Sequence, residues 1–306
     1  MSNCIVFGGN GLIGSFIAEQ LAQKNYNLRI FSRSFENVQH IKDKADFFKG
    51  DFRDFDAVEK SLDGMDFVFH CIQGTVPRDS FLKPVFDAET NILPSINLFQ
   101  KSAEKKIKKV IFLSSIAVYG NPKKIPITEK TPLLPVSPYG VSKIATEEYL
   151  DFFGRAFGLN YAIVRPSATF GERQKFSEKS GVITNFLYNA LNGNPITIQG
   201  DGSAVRDFTH AEDIARGCVL AMEKQAKSNI FNLGTGKGIS INELLAKIKK
   251  ITGAKIAITN VETKDLVQNH VYDISRAKKE LGWKPKISLD TGIKRTYDFL
   301  KGKTNG

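Results

Sequence analysis

Apolar residues along the first half of the chain follow two alternating rhythms. Short, nearly unbroken apolar runs at Cys4–Phe7, Asn27–Phe31, Phe47–Phe48, Phe67–His70, Val110–Leu113 and Tyr161–Val164 read as strands. Between them apolar residues recur at i, i+3 and i+4, as Leu12, Ile13, Phe16, Ile17 and Leu21 do. This spacing predicts helices over Leu12–Lys24, Phe55–Leu62, Pro94–Lys105 and Ser142–Phe157. Strand alternating with helix predicts an α/β fold built on a doubly wound parallel sheet. Strands apolar throughout fit a sheet covered on both faces. After Arg165 the rhythm loosens and Gly, Pro and Asn become frequent, as in Gly193-Asn194-Pro195 and Gly200-Asp201-Gly202. The pattern predicts one domain over residues 1–165 and a smaller C-terminal α/β lobe over 166–306, with segments returning to the first domain. Lys301 to Gly306 reads as a frayed tail.

The first strand-to-helix junction is the most informative stretch. The run Cys4–Phe7 breaks into Gly8-Gly9-Asn10-Gly11-Leu12-Ile13-Gly14. Gly8 allows a sharp turn, Gly11 lets backbone approach a pyrophosphate, and Gly14 lets the helix pack on the strand. The N–H groups opening the helix would hold the phosphates. The spacing G-x-x-G-x-x-G differs from the standard G-x-G-x-x-G fingerprint of a Rossmann-type domain. Alone it does not separate a dinucleotide site from an ordinary glycine-rich loop.

Two residues bear on which dinucleotide would bind. The second strand ends in Ser32-Arg33, where an NAD site carries an acid for the ribose hydroxyls. Ser32 cannot repel a 2′-phosphate and Arg33 could bind one, which tilts NAD or NADP toward NADP; a solvent-exposed arginine beside NAD is the alternative. Asp51, after the third strand, is placed to accept from an adenine amino group, or is a turn or N-cap aspartate.

Candidate chemistry follows the fifth strand. Ser115 ends Leu113-Ser114-Ser115, and Tyr139-Gly140-Val141-Ser142-Lys143 opens a helix. Tyr139 and Lys143 share a helix face at i, i+4. An ammonium beside a phenol favours the phenolate, so Tyr139 would serve as a base, with Ser115 donating to the same substrate oxygen.

The formal charge of +11 comes with lysine clusters such as Lys105, Lys106, Lys108 and Lys109. These read as solvated faces. No basic stripe interleaved with aromatics points to nucleic acid. No window reaches the ~20 apolar residues of a membrane span, and the early first strand leaves no room for a signal peptide. Cys4, Cys71 and Cys218 lack metal or redox spacing and read as buried thiols of a reducing cytoplasm. The four histidines lack ligand spacing to one another, so no metal is expected; His70 reads as a satisfied buried histidine.

Taken together these motifs resemble the extended short-chain dehydrogenase/reductase family, in its nucleotide-sugar epimerase and reductase branch. The resemblance rests on the glycine loop, on Ser115 in Ser-Ser-x-x-Val-Tyr-Gly, and on Tyr139-x-x-x-Lys143. It continues through Arg165-Pro166, Gly200-Asp201-Gly202-x-x-x-Arg206-Asp207-Phe208, Asn232-Leu233-Gly234-Thr235-Gly236, and the module from Asp273 to Pro285. It implies that Asn10, Gly11, Leu12 and Ile13 bracket the pyrophosphate and that Asp51 and Phe52 meet the adenine. It also implies that Lys143 holds the nicotinamide ribose and that Arg206 binds the phosphates of a nucleotide-sugar substrate. An ion pair with Asp207 is the alternative for Arg206. A homodimer through the Pro94–Lys105 and Ser142–Phe157 helices is implied by analogy.

Two departures stand out. Ala168 replaces a frequent asparagine, and Glu262-Thr263-Lys264-Asp265 replaces Arg-Pro-Gly-Asp. Ile116 and Ala117 stand where the related dehydratases carry Asp-Glu, which argues against water elimination. The resemblance therefore implies a 4-epimerase first, an NADPH-consuming 4-ketoreductase second, and a non-catalytic dinucleotide-binding relative third.

Overall fold

The structure is a computed structural model that describes residues 1–174, 176, 181–262 and 269–304. All six anticipated strands form: β1 (Asn3–Phe7), β2 (Asn27–Ser32), β3 (Ala45–Lys49), β4 (Phe67–His70), β5 (Lys109–Leu113) and β6 (Tyr161–Pro166). The helices among them are α1 (Leu12–Gln23), α2 (Phe55–Ser61), α3 (Pro77–Leu82), α4 (Pro84–Glu104) and α5 (Pro138–Phe157). A 3-10 segment over Glu36–Lys44 links β2 to β3. The second half adds β7 (Ala168–Phe170), α6 (Val182–Leu191), β8 (Ile196–Gln199), β9 (Val205–Arg206), β10 (Phe208–His210) and α7 (Ala211–Glu223). It ends with β11 (Ile230–Leu233), β12 (Ile239–Ser240), α8 (Ile241–Thr252), β13 (Ile258–Val261) and α9 (Leu289–Thr304).

Seven strands make one sheet in the order β11-β6-β5-β4-β1-β2-β3, with every neighbouring pair parallel. The order reverses between β1 and β4, which opens a crevice beyond their carboxyl ends. Period-two alternation divides each strand between two cores. Cys4 and Val6 of β1 pack with Phe16 and Leu21 of α1 and Val219 of α7. Ile5 and Phe7 pack with Val58 of α2, Leu98 of α4 and Phe153 of α5. A third core joins Ile183 and Leu187 of α6, Ile196 and Ile198 of β8, Leu244 and Ile248 of α8, and Ile293 of α9.

α3 and the 3-10 segment lie outside the anticipated helices, α5 opens at Pro138 rather than Ser142, and two further elements differ in their ends. α4 begins at Pro84, ten residues before the anticipated start, and carries Pro94 in its interior. Pro94 has no N–H to give the Thr90 carbonyl, and a sequence reading takes it for a helix opening. The helix continues through it with hydroxyl back-bonds from Thr90 to the Phe86 carbonyl (2.7 Å) and from Ser95 to the Asn91 carbonyl (2.5 Å). At the other end α9 runs on to Thr304, so Lys301–Thr304 is helix rather than tail.

The module from Asp273 to Pro285 works as a latch. Asp213, at the start of α7, accepts from the Lys286 and Ile287 amides, and its carbonyl accepts from the Trp283 indole (2.9 Å). Among the described residues no helix is long and apolar enough to cross a membrane.

Candidate active site

The glycine turn works by two close approaches. Gly8 sits at φ +80° and donates to the Phe31 carbonyl at 2.9 Å, joining β1 to the end of β2. A Cβ on Gly14 would lie 2.3 Å from the Gly8 carbonyl oxygen, so only glycine lets α1 come this near. Gly11 is the N-cap of α1 and has no side chain to cap with. The first N–H groups of a helix have no partner within it. Leu12 and Ile13 meanwhile rest their side chains against the core.

A groove runs from this turn. Gly8, Asn10 and Gly11 line it, with Ser32, Arg33 and Ser34 after β2, Gly50–Arg53 after β3, and Cys71–Gly74 after β4. Three residues here have partners within the protein, and Asp51 is the turn aspartate that the sequence allowed, its Oδ1 accepting from the Arg53 amide at 3.0 Å. The Asn10 side-chain amide donates to Ser34 Oγ (3.0 Å) and Glu36 Oε2 (2.8 Å), and its oxygen accepts from the Asn37 backbone amide (2.8 Å). It braces the loop that carries Arg33. Asp51 is engaged by Arg53, whose Nε and Nη2 donate to it at 3.0 and 2.8 Å. Those bonds hold its carboxyl at about 2, with Arg33 adding a smaller effect. The N-cap of α2 is instead Asp54, which accepts from the Ala57 amide. The Phe52 ring belongs to the core, packed on Phe7 (5.8 Å) and His70 (4.9 Å), so its backbone is what it can offer a ligand.

Ser115, Tyr139 and Lys143 meet at the carboxyl end of β5. α5 is capped by Ser137, which accepts from the Gly140 amide (3.2 Å), with Pro138 in its first turn. Tyr139 and Lys143 thereby occupy consecutive turns of one face. Ser115 caps the 3-10 turn Ile116–Tyr119, its Oγ accepting from the Ala117 amide at 3.1 Å. The Ser115 hydroxyl lies close enough to the Tyr139 phenol to favour its ionised form.

Lys143 behaves differently from the expectation. Its Nζ donates to the Leu113 carbonyl (2.8 Å) and lies 4.8 Å from the centre of the Phe112 ring. Burial pulls its pKa down to about 8, against opposing pulls from Cys71, Glu147 and Asp87. The Tyr139 phenol is raised, not lowered: burial dominates, the Ser115 hydroxyl opposes it, and Asp87 adds to it. The ammonium is directed at a strand-end carbonyl, so the phenol gains no relief from it. Cys71 lines the groove and is half-buried as a residue rather than buried, with its thiol on the protein side. Burial pushes that thiol up to about 12.

Other motif residues turn out to be supports. Arg165 is buried against Glu147 (Nε to Oε1, 3.0 Å) and donates to the Tyr119 hydroxyl (2.9 Å), which donates to Asn232 Oδ1 (2.8 Å). Ser114 completes the network by donating to Glu147. Asp207 accepts from the Thr235 and Gly236 amides (2.8 and 3.0 Å). Arg206 stands on β9, paired with Ile239 of β12 and close to His270; its Nη1 donates to the Val205 carbonyl. His70 is half satisfied: Nε2 meets Ser95 Oγ at 2.8 Å and Nδ1 has no partner. Burial holds it well below the usual imidazole range. Residues 263–268, which include most of the Glu262–Asp265 substitution, lie outside the described residues. Sequence reasoning missed Asp87 and Glu147, since a lone acid in an amphipathic helix carries no spacing signal.

Residues 4–234 match the model of the NAD dependent epimerase/dehydratase family. The chain belongs to that family. A UDP-glucose 4-epimerase of Lactobacillus helveticus is 33% identical over 323 residues, covering 99% of this chain and 98% of that one. The solved UDP-glucose 4-epimerase of Thermotoga maritima with UDP-glucose superposes with a TM-score of 0.92 at 35% identity, covering 99% of each chain. The UDP-glucose 4-epimerase of Thermus thermophilus in complex with NAD gives 0.90 at 30% identity, covering 98% of this chain and 99% of that one. As a member of the epimerase family this chain is an enzyme. Its glycine turn fits a dinucleotide: the helix opening carries no capping side chain, and the helix lies within a Cβ's reach of the turn.

Proposed function

We infer that this chain is an NAD-dependent 4-epimerase of nucleotide sugars, with a UDP-hexose as substrate. The observation that carries this reading is the gathering of Ser115, Tyr139 and Lys143 at the carboxyl end of β5, the Lys143 ammonium on the Leu113 carbonyl, in a chain of the epimerase family. When bound, the dinucleotide accepts the hydride from sugar C4 and returns it. Tyr139 takes the proton of the 4-hydroxyl as hydride leaves C4, and gives it back as hydride re-enters from the opposite face. Ser115 donates to the same oxygen and holds it against the phenol. Residues 1–165 with α7 and β11 hold the dinucleotide in this reading: the Leu12 and Ile13 amides at the pyrophosphate and Lys143 at the nicotinamide ribose. The rest of 166–306 takes the nucleotide sugar, with Arg206 on its phosphates.

A second reading, an NADPH-consuming 4-ketoreductase, is favoured by Ser32 and Arg33 lining the groove where an NAD site carries an acid. Two further points belong to the proposal. The chain pairs as a homodimer through the apolar residues exposed on α4 and α5. Its three unpaired cysteines suit a cytoplasmic location.

Denaturing the purified protein and identifying the released nucleotide separates the readings. Stoichiometric NAD, with interconversion of UDP-glucose and UDP-galactose that falls ~10²–10⁴-fold in Tyr139→Phe, supports the epimerase. An empty site that takes up NADPH supports the reductase. Undiminished turnover in Tyr139→Phe removes Tyr139 as the base.

A further inference from the structure

Tyr139 is the second residue of α5. Its amide is one of the first N–H groups of a helix, which find no carbonyl within it. Pro138 before it has no N–H to place, and the Gly140 amide after it goes to the capping Ser137 hydroxyl. The Tyr139 amide is met from another element: it donates to the Ser80 hydroxyl of α3 at 3.0 Å. Ser80 is fully buried, so it offers no surface to a ligand. Its one hydroxyl hydrogen goes to the Pro77 carbonyl (2.7 Å), so toward Tyr139 the oxygen can only accept. Pro77 opens α3 with its φ fixed by the ring, which stiffens the backbone beneath Ser80.

A second contact fixes the same turn. A Cβ on Gly140 would lie 2.7 Å from the Ala117 carbonyl oxygen and 2.9 Å from Pro135 Cβ. The Ala117 amide is in turn held by Ser115 Oγ at 3.1 Å. The opening of α5 therefore leans on the Ser115 turn at Gly140 and hangs from α3 by the Tyr139 amide. Beyond this turn α5 has anchors of its own: Ser142 donates to Asp87 of α4, and Glu147 pairs with Arg165 of β6. Loss of the Ser80 oxygen leaves those anchors intact and loosens the opening alone. The phenol oxygen stands at the far end of a rigid ring, so a small rotation of that turn is magnified there.

We propose that Ser80 is a positioning residue: its buried hydroxyl, by holding the Tyr139 amide, sets where the phenol stands beside Ser115. The proposal rests on the reading of Tyr139 as proton acceptor. Proton transfer needs its two heavy atoms within about 3 Å, and a misplacement of about 1 Å costs up to ~10²-fold in rate.

The test is steady-state epimerisation of UDP-glucose by the full chain carrying Ser80→Ala, with bound dinucleotide measured after denaturation. Both kcat and kcat/KM are expected to fall about tenfold with dinucleotide content unchanged, as for a group needed only in the transition state. In a Tyr139→Phe background, Ser80→Ala is expected to leave the residual rate as it is, because the phenol it acts through is gone. A merely structural role raises KM, releases dinucleotide or slows the double variant below Tyr139→Phe alone. Any of these, or wild-type kcat in Ser80→Ala, overturns the proposal. Should Ser80→Ala fail to fold, Ser80→Cys fills the same space with a poorer acceptor. The same fall in kcat at constant KM is then expected, and wild-type kcat overturns the proposal. Undiminished turnover in Tyr139→Phe refutes the reading of Tyr139 and this proposal with it. An inactive Tyr139→Phe beside an undiminished Ser80→Ala refutes the proposal alone. Should wild type leave UDP-glucose unchanged, the epimerase reading fails and the phenol is read directly, by NMR of 13Cζ-tyrosine with its signal assigned by loss in Tyr139→Phe. That signal is expected to move in Ser80→Ala while the other tyrosines stay, and an unmoved signal overturns the proposal.

Discussion

Lys143 holds an ammonium where its surroundings resist one. Its pKa falls from 10.5 to about 8 because burial removes water from the charge. Below pH 8 the folded state carries that charge at a cost of about 3 kcal/mol. Between about 8 and 10.5 the unfolded chain binds the proton and the folded chain does not, so wild-type stability rises with pH across this window. Lys143→Met removes the charge and the bond to Leu113, the latter worth about 1 kcal/mol. It is expected to gain about 2 kcal/mol in urea unfolding at pH 7, a gain that vanishes above pH 10.5, while turnover is lost. A gain that does not change with pH would mean the ammonium is not the destabilising element. The residues of this site differ in how far the sequence exposes them. Ser115, Tyr139 and Lys143 are legible because a strand end and an i, i+4 spacing name them. Asn10 and Phe52 are legible as groove residues but not in their partners, because Ser34 and His70 reach them from other loops and strands, whereas the partner of Asp51 is its near neighbour Arg53.

Among the elements, the strand ends are held by one buried chain of polar groups. Glu147 on α5 grips Arg165 on β6, and through Tyr119 the link reaches Asn232 on β11. Breaking such a pair strands a charge in the interior, which costs about 3–5 kcal/mol, whereas replacing both partners with apolar groups costs far less. Glu147→Leu alone is therefore expected to destabilise the enzyme strongly, and Glu147→Leu with Arg165→Met to recover most of that loss in chemical denaturation. A double variant no more stable than the single would show that the pair itself is not the source. Alternating periodicities made most elements of residues 1–165 legible, apart from the short α3, the 3-10 segment over Glu36–Lys44 and the openings of α4 and α5, where prolines disguise the first turns. The second half resisted because its ladders are two to four residues long and pair with distant partners, as β9 does with β12 and β8 with β13. No local period can encode such pairings.

At the level of the whole molecule, α4 and α5 pack together and leave apolar side chains outside: Val85 and Leu93 on α4, Tyr149, Phe152 and Phe157 on α5. Leu93 is 55% exposed and Phe152 46%. A surface of this kind on adjoining helices calls for a partner, and a second copy presents the same surface in return. Wild type is expected to sediment with the mass of two chains, and Leu93→Glu with Phe152→Glu to sediment as one chain with an unchanged circular dichroism spectrum. A monomeric wild type would refute the pairing. The sheet also has an order of completion. β6 is buried along its whole length, and one of its edges pairs with β11, from which it is separated by the 63 residues between Pro166 and Ile230. During synthesis, a chain that has emerged as far as Pro166 therefore carries an oily, unpaired flank. Premature stop codons between those two segments should yield inclusion bodies and chaperone clients rather than shorter soluble enzymes.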